Sequence, residues 1–252
     1  MSEDITEILK SWPFDGQNNV RKIVDTNGVE KIQVRIEQGA FQGILQMDLD
    51  GRPDGRRPYD KEFVLDHFRE KLVGSQNNKS TIEKFLLSRE DCREIFDESF
   101  TVYERYVFLL QIKDYDRVVR DTERNMEVFR FVKEYGAHRE DRQHLERWWP
   151  YILRIHYVAR VMLEVQENKF SVALRLISEA EGKIENLEEV DSEEFHNERD
   201  RSRQALKDLA QEVRDKMPLD PKEALKRALD QAVKREEYEK AAVLRDQLRD
   251  LD

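Results

Sequence analysis

The chain has 252 residues, of which 38% are hydrophobic and 39% are charged, and its formal net charge is -10. The hydrophobic fraction is sufficient for a core in one large domain or two small ones. The high charge and the mean hydropathy of -0.84 are typical of long amphipathic helices with wide solvated faces. The acidic balance argues against generic nucleic-acid binding, which depends on neutralising phosphates.

The sequence carries no signal for a membrane or for an oxidising compartment. No apolar run approaches the roughly 18 residues that a membrane helix needs. The first residues, MSEDITEIL, are acidic, whereas a signal sequence begins with a basic segment. The single cysteine, Cys92, excludes an internal disulfide and a zinc site built from cysteines. We therefore expect a cytoplasmic protein with no membrane association.

The N-terminal part is predicted to form a small antiparallel β meander after a short helix or a loosely held arm over residues 1–16. Val20–Val24 and Ile32–Ile36 alternate apolar and polar residues, and Asn27-Gly28 between them favours a hairpin turn. Phe41–Leu49 reads as a third strand. Three such strands make a sheet with one covered face.

The segment Asp48–Pro58 leaves the sheet with alternating aspartates, two glycines and three arginines. Such carboxylates can suggest a calcium loop, but no bidentate glutamate stands at the twelfth position, and the arginines offset the charge. A contact of Arg52, Arg56 and Arg57 with a phosphate or an acidic partner is a second interpretation. The preferred interpretation is a solvated, turn-rich connection.

From Tyr59 onward the pattern is helical almost without interruption, so the expected fold class is mainly α (α+β). A first helix is predicted to end at Gly74, before the polar linker Gly74–Lys79, and a second to run from Ser80 or Thr81 through Leu87. Ser88, with Asp91 three residues later, predicts the capped start of the next. The expected domains are a β-meander domain with a closing helix (1–74), a helical array (79–217) and a C-terminal hairpin (218–252).

Three places in the helical part share a local pattern. Tyr115, Phe170 and Tyr238 each stand one residue into a helix that follows a polar turn, and each is preceded by an amphipathic helix. They are 55 and 68 residues apart, so no fixed period exists. This pattern predicts an irregular, tetratricopeptide-like array of helical hairpins rather than a strict repeat protein.

The motifs of known enzyme classes are absent. The sequence has no GxxxxGK[ST], no GxGxxG after a strand and no GxSxG. The five histidines lie at no recurrent metal spacing. We therefore expect no catalytic residues, no cofactor and no metal. The adjacent Trp148 and Trp149 cannot both face one core, so they mark either a structural helix corner or a contact surface.

The C-terminal segment Pro221–Asp252 has the most specific pattern and predicts two short helices folded back on each other. Asp220 and Pro221 suit the N-cap and the first turn, and polar residues from Lys234 to Glu237 make the turn between the helices. The first helix carries one apolar face and the second carries one apolar stripe. In order, these residues are Ala224, Leu225, Ala228, Leu229 and Ala232, then Tyr238, Ala241, Leu244, Leu248 and Leu251.

These residues resemble the UVR motif. That helical hairpin is shared by the B and C subunits of the bacterial excision-repair nuclease, by Clp-type ATPase linkers and by activators of bacterial protein arginine kinases. The resemblance covers about an eighth of the chain. It departs from the arginine-kinase activators because no cysteine pairs precede the motif here. The residues that carry it are Leu225, Leu229, Ala232, Tyr238, Glu239, Ala241, Ala242, Leu244, Arg245, Asp246, Leu248 and Leu251. The resemblance marks all of these except Glu239 and Asp246 as partner-binding.

The resemblance implies a docking module and not a reaction. We expect a non-enzymatic adaptor that binds a protein partner or a second copy through this hairpin, in the setting of a Clp-type protease or a stress response. The alternative is an accessory factor of nucleotide excision repair that acts on or near DNA. Direct DNA contact is not favoured, because the eight basic and eight acidic residues from Pro221 to Asp252 cancel. The hairpin could also pack on the preceding helices, since so small a unit rarely stands alone.

Overall fold

The computed structural model describes residues 5–77, 85–218 and 221–249. Two compact units are present, Met1–Ala210 and Gln211–Asp252. The first unit holds the sheet and most of the helices, and the second holds the C-terminal hairpin. The predicted division at 1–74, 79–217 and 218–252 concerns independently folding parts and stays a prediction.

The described elements confirm a mainly α protein with a small N-terminal sheet. The strands are β1 (Val20–Val24), β2 (Glu30–Gln38) and β3 (Phe41–Asp48). The helices are α1 (Thr6–Ser11), α2 (Val64–Asn77), α3 (Arg89–Gln111), α4 (Tyr115–Tyr135), α5 (Arg139–Glu146), α6 (Trp149–Gln166), α7 (Phe170–Glu185), α8 (Glu193–Lys216), α9 (Pro221–Lys234) and α10 (Tyr238–Arg249). None of the described helices is both long enough and apolar enough to cross a membrane.

The sheet is the predicted antiparallel meander with strand order β1-β2-β3. Val20 pairs with Val34 across the first ladder, and Ile32 pairs with Met47 across the second. The second hairpin has a two-residue turn that starts at Gly39, whose φ of +60° favours glycine. Because alternate residues of β2 face one side, Ile32 and Val34 are both buried there.

The sheet and the helices share one core. Ile32 of β2 and Leu49 after β3 belong to the same buried cluster as Leu109 of α3, Val118 of α4 and Ala159 of α6. All five residues are fully or almost fully buried. The three-stranded sheet is therefore stabilised by packing against the helices, as expected for a sheet too small to be stable alone.

The segment Asp48–Pro58 differs from the preferred sequence interpretation, because its first half is bound to helices rather than solvated. Arg105 of α3 donates from Nη1 to the carbonyl oxygens of Asp48 and Gly51, at 2.9 and 2.7 Å. Arg52 pairs with the buried Glu98 of α3 at 3.1 Å. The same Glu98 oxygen accepts the backbone N–H of Val64 at 2.7 Å, which satisfies a free donor at the start of α2. Arg52 therefore has a structural role.

Arg105 also forms a buried bidentate ion pair with Asp121 of α4. Its Nε and Nη2 atoms donate to the two carboxylate oxygens at 2.7 and 2.8 Å. Both side chains are almost completely buried. One guanidinium thus joins α3, α4 and the segment after the sheet, and uses the fork geometry that lysine lacks.

In the helical part, one predicted helix start is confirmed and two predicted helix ends are wrong. Ser88 Oγ accepts from Asp91 N–H, and the Asp91 carboxylate accepts from Ser88 N–H, which is the predicted capping box of α3. Helix α2 continues through Gly74 to Asn77. Most of the helix predicted to end at Leu87 lies outside the described residues, and its described end is extended, with Leu87 bridged to Gly136.

Candidate protein-binding site

Helices α9 and α10 form the predicted hairpin. They are separated by the three residues 235–237 and pack along each other. Ala232 of α9 and Ala241 of α10 are buried, with 2% and 7% of their surface exposed. Small side chains at these positions let two helix axes approach closely. The predicted N-cap, Asp220, lies outside the described residues.

The turn between α9 and α10 is a Schellman motif. Glu236 N–H donates to Val233 O at 3.0 Å, and Glu237 N–H donates to Ala232 O at 2.9 Å. Glu236 has the left-handed φ of 61° that this motif requires after a helix end. The two hydrogen bonds satisfy carbonyl groups that the last turn of α9 leaves free.

The same turn occurs at the two other places where the sequence pattern predicts a hairpin. Lys113 between α3 and α4 has a φ of 60°, and Asn168 between α6 and α7 has a φ of 58°. In each case the following residue donates its N–H to the carbonyl five residues earlier, Asp114 to Leu109 and Lys169 to Glu164. The three hairpins therefore share one backbone turn as well as one sequence pattern.

The three aromatics of the pattern differ in how far they are covered. Each stands two residues after the left-handed residue and begins its helix. Tyr115 is buried with 6% of its surface exposed, and Phe170 is half-buried. Tyr238 has 66% of its surface exposed. At equivalent positions, the last hairpin leaves a large ring in solvent that the first hairpin packs away.

The predicted partner-binding residues occupy different positions in the hairpin. Ala232 and Ala241 are buried and so support the hairpin itself, while Tyr238, Ala242 and Arg245 are exposed. Leu251 lies outside the described residues. The half-buried members are four leucines, Leu225 and Leu229 of α9 and Leu244 and Leu248 of α10.

Two further apolar residues of the hairpin were not among the predicted site residues. Val233 and Val243 are exposed by 51% and 57%. Each valine stands next to a residue of the apolar stripe in the sequence. Each also falls outside the helical spacing that defines the stripe, so the periodicity did not select it. Exposed valines on helices this short extend the apolar surface that the hairpin offers.

The charged side chains of the hairpin pair locally. Lys240 lies 3.3 Å from Glu237, and Arg245 lies 3.1 Å from its neighbour Asp246. Such exposed pairs contribute little to stability. Among residues 5–77, 85–218 and 221–249, no group of three or more histidine, cysteine, aspartate or glutamate side chains could hold a metal ion.

Comparison with known proteins identifies the hairpin. The family model for the UvrB/uvrC motif, UVR, matches residues 221–252, which confirms the resemblance predicted for this segment. Searches of curated proteins and of solved structures gave no match for the chain. The UVR motif is known in protein-interaction and DNA-repair contexts. The chain therefore carries a UVR motif at its C-terminal end, on a segment that forms a helical hairpin.

Proposed function

We propose that this protein is a non-enzymatic interaction module that docks to a protein partner through the α9/α10 hairpin. The observation that carries the proposal is the exposure of Tyr238. The same position is buried at Tyr115 in the first hairpin of identical turn geometry. The ring of Tyr115 belongs to the buried core of its unit, whereas about two thirds of the Tyr238 surface stays open.

The energetics favour docking of this surface. Covering a tyrosine ring of this exposure contributes about 1–2 kcal/mol, and the half-buried leucines of both helices add to it. Tyrosine is also enriched among the residues that dominate binding energy at protein interfaces. A hairpin with this apolar surface and a neutral charge balance suits a partner helix or a second hairpin.

The finer proposal is that the partner is a UVR-bearing or Clp-type protein, or a second copy of the chain, in a protease or stress-response setting. The family match supports a UVR-bearing partner, because it identifies the hairpin as a UvrB/uvrC motif. The Clp-type choice rests on the resemblance of the hairpin to Clp-type ATPase linkers. The proposal assigns no reaction to the chain. Burial raises the pKa of the Cys92 thiol to about 12, so the one cysteine is not a ready nucleophile.

The double variant Tyr238→Ala, Leu248→Ala is expected to weaken partner binding or self-association at least tenfold, because it removes the exposed ring and a half-buried leucine of the stripe. Light scattering measures self-association. Calorimetry with a purified UVR hairpin or a Clp-type ATPase linker measures partner binding. Circular dichroism confirms that the helices persist.

Two variants serve as controls for the docking experiment. Gln247→Ala changes an exposed polar residue of α10 and is expected to leave binding unchanged. Tyr115→Leu changes the buried counterpart and is expected to lower the free energy of unfolding by about 1–3 kcal/mol while binding is retained. Unchanged binding in the double variant would refute the proposed docking surface.

A second candidate is an accessory role in nucleotide excision repair, which the family match to the UvrB/uvrC motif favours. The net charge of -10 makes direct DNA contact unfavourable, so this role would operate through a repair protein. A DNA mobility-shift experiment at low salt is expected to show no complex with the chain alone. A salt-dependent shift would instead support contact with DNA.

A further inference from the structure

A cavity of about 480 Å3 lies in the first unit, between side chains of α3, α4, α5, α6 and α8. This volume is within the range of small-molecule sites in proteins. The cavity is far from the hairpin residues in sequence, and the docking function does not use it. It is therefore a separate feature of the helical array.

Aromatic rings form most of the cavity wall. Phe100, Tyr103 and Trp148 line it and are 58%, 36% and 38% exposed, so three rings are accessible at its mouth. Deeper rings support them: Tyr106 meets Tyr103 edge to face with centroids 5.5 Å apart, and Tyr151 lies 6.0 Å from Tyr103. Such walls favour a flat aromatic guest, which gains from stacked and edge-to-face contacts.

The cavity offers no free charge to a ligand. Among the described residues no lysine or arginine lines it, and the one carboxylate, Glu198, is bound by Arg154 at 3.0 Å and by Arg201 at 2.8 Å. Partial desolvation lowers the pKa of His144, an exposed side chain that also lines the cavity. Burial raises the pKa of Tyr106, so its hydroxyl stays protonated.

The one amide in the described part of the wall belongs to the protein interior. Asn125 is 2% exposed, and its Nδ2 atom donates to Ser99 O at 2.9 Å. Its Oδ1 atom has no hydrogen-bond partner among the described residues, but it is enclosed by protein and is not accessible from the cavity. The amide therefore offers no acceptor to a guest, and the rings dominate the surface that a guest would meet.

We propose that this cavity is a binding site for a small, neutral, planar aromatic molecule. The rings at its mouth supply stacking, and the paired Glu198 leaves no net attraction for an ion. An anionic guest would find no basic partner in the described wall. A cationic guest would find Glu198, the one carboxylate of that wall, already bound by Arg154 and Arg201.

The proposal is tested with three probes that share one ring system: indole, indole-3-acetate and tryptamine. Binding to the full chain is measured by calorimetry and by the side-chain N–H signals of the tryptophans in NMR spectra. We expect indole to bind at least tenfold more tightly than the anion or the cation. We also expect it to shift the Trp148 signal while the Trp12 signal stays in place.

Variants at the mouth of the cavity locate the site. Trp148→Ala and Tyr103→Ala are each expected to weaken indole binding at least fivefold, and Phe41→Ala, at an exposed ring of β3, is expected to leave it unchanged. If either cavity variant fails to fold, Phe100→Ser, at a more exposed ring, replaces it. Absence of saturable indole binding, or binding that these variants do not alter, would overturn the proposal. Tenfold tighter binding of N-acetyltryptophanamide than of indole would also overturn it, in favour of a peptide side chain as the occupant.

Discussion

Replacing Arg105 by alanine is expected to lower the free energy of unfolding by about 3–5 kcal/mol. The substitution removes the bidentate partner of the buried Asp121 carboxylate, which keeps only the contact of Arg120 with one of its oxygens. It also removes the hydrogen bonds to the backbone carbonyls of Asp48 and Gly51. Chemical denaturation followed by circular dichroism measures the change. The loss is large because the pair is desolvated, so the remaining charge cannot recover its hydration.

A surface pair provides the matched control for Arg105. Arg69 of α2 contacts Glu127 of α4 at 3.0 Å, and both side chains are more than 40% exposed. Arg69→Ala is therefore expected to cost less than about 1 kcal/mol. Combining Arg105→Met with Asp121→Leu is expected to recover part of the loss, because no charge is then left buried alone. Equal effects of Arg105→Ala and Arg69→Ala would show that burial of the pair does not determine its contribution.

The stability of the protein is expected to fall between pH 6.5 and pH 4 because of His156. This residue of α6 is 5% exposed, and its Nδ1 atom lies 3.0 Å from Thr122 Oγ1 of α4. Burial, followed by the charges of Arg160 and Lys183, lowers the pKa of His156 from 6.5 to about 4. Between these values the unfolded chain binds the proton and the folded chain does not, so stability rises with pH across this window.

The contribution of neutral His156 to the free energy of unfolding is fully present above pH 6.5 and is lost as the pH falls to about 4. The total loss is about 3 kcal/mol. Free energies of unfolding measured at several pH values test this. His156→Gln, which has no titrating ring, is expected to flatten the slope in this window. His138→Gln changes an exposed histidine and is expected to keep it. A slope that His156→Gln leaves intact would assign the pH dependence to other groups.

The sequence predicted those features that depend on neighbouring residues. The strand Val20–Val24, the capping box of Ser88 and Asp91, and the C-terminal hairpin each arise from signals within a few residues. Gly74 was misread as a helix end because a glycine inside a helix costs only about 1 kcal/mol. Such a cost is too small to end a helix.

Features that join distant parts of the chain were not predictable in the same way. Arg105 and Asp48 are 57 residues apart in sequence, and nothing local marks Arg105 among the many arginines as a buried one. The segment after β3 was read as solvated for that reason. The cavity likewise combines residues from Phe96 to Glu198 that share no pattern. Trp148 and Trp149 were predicted to mark either a helix corner or a contact surface, but the neighbours of Trp148 at the cavity depend on the fold.

The three Schellman turns bear on the order in which the chain folds. Each hairpin joins two helices that are adjacent in sequence, so its contacts close short loops and form rapidly. The bonds of Arg105 to Asp48 and Gly51 close loops of more than 50 residues and carry a larger entropic cost. We therefore expect the helical hairpins to form first and the sheet to pack against them late in folding. In kinetic terms, Lys113→Gly, which relieves a left-handed residue in the α3/α4 turn, is expected to accelerate folding, whereas Arg105→Ala is expected mainly to accelerate unfolding.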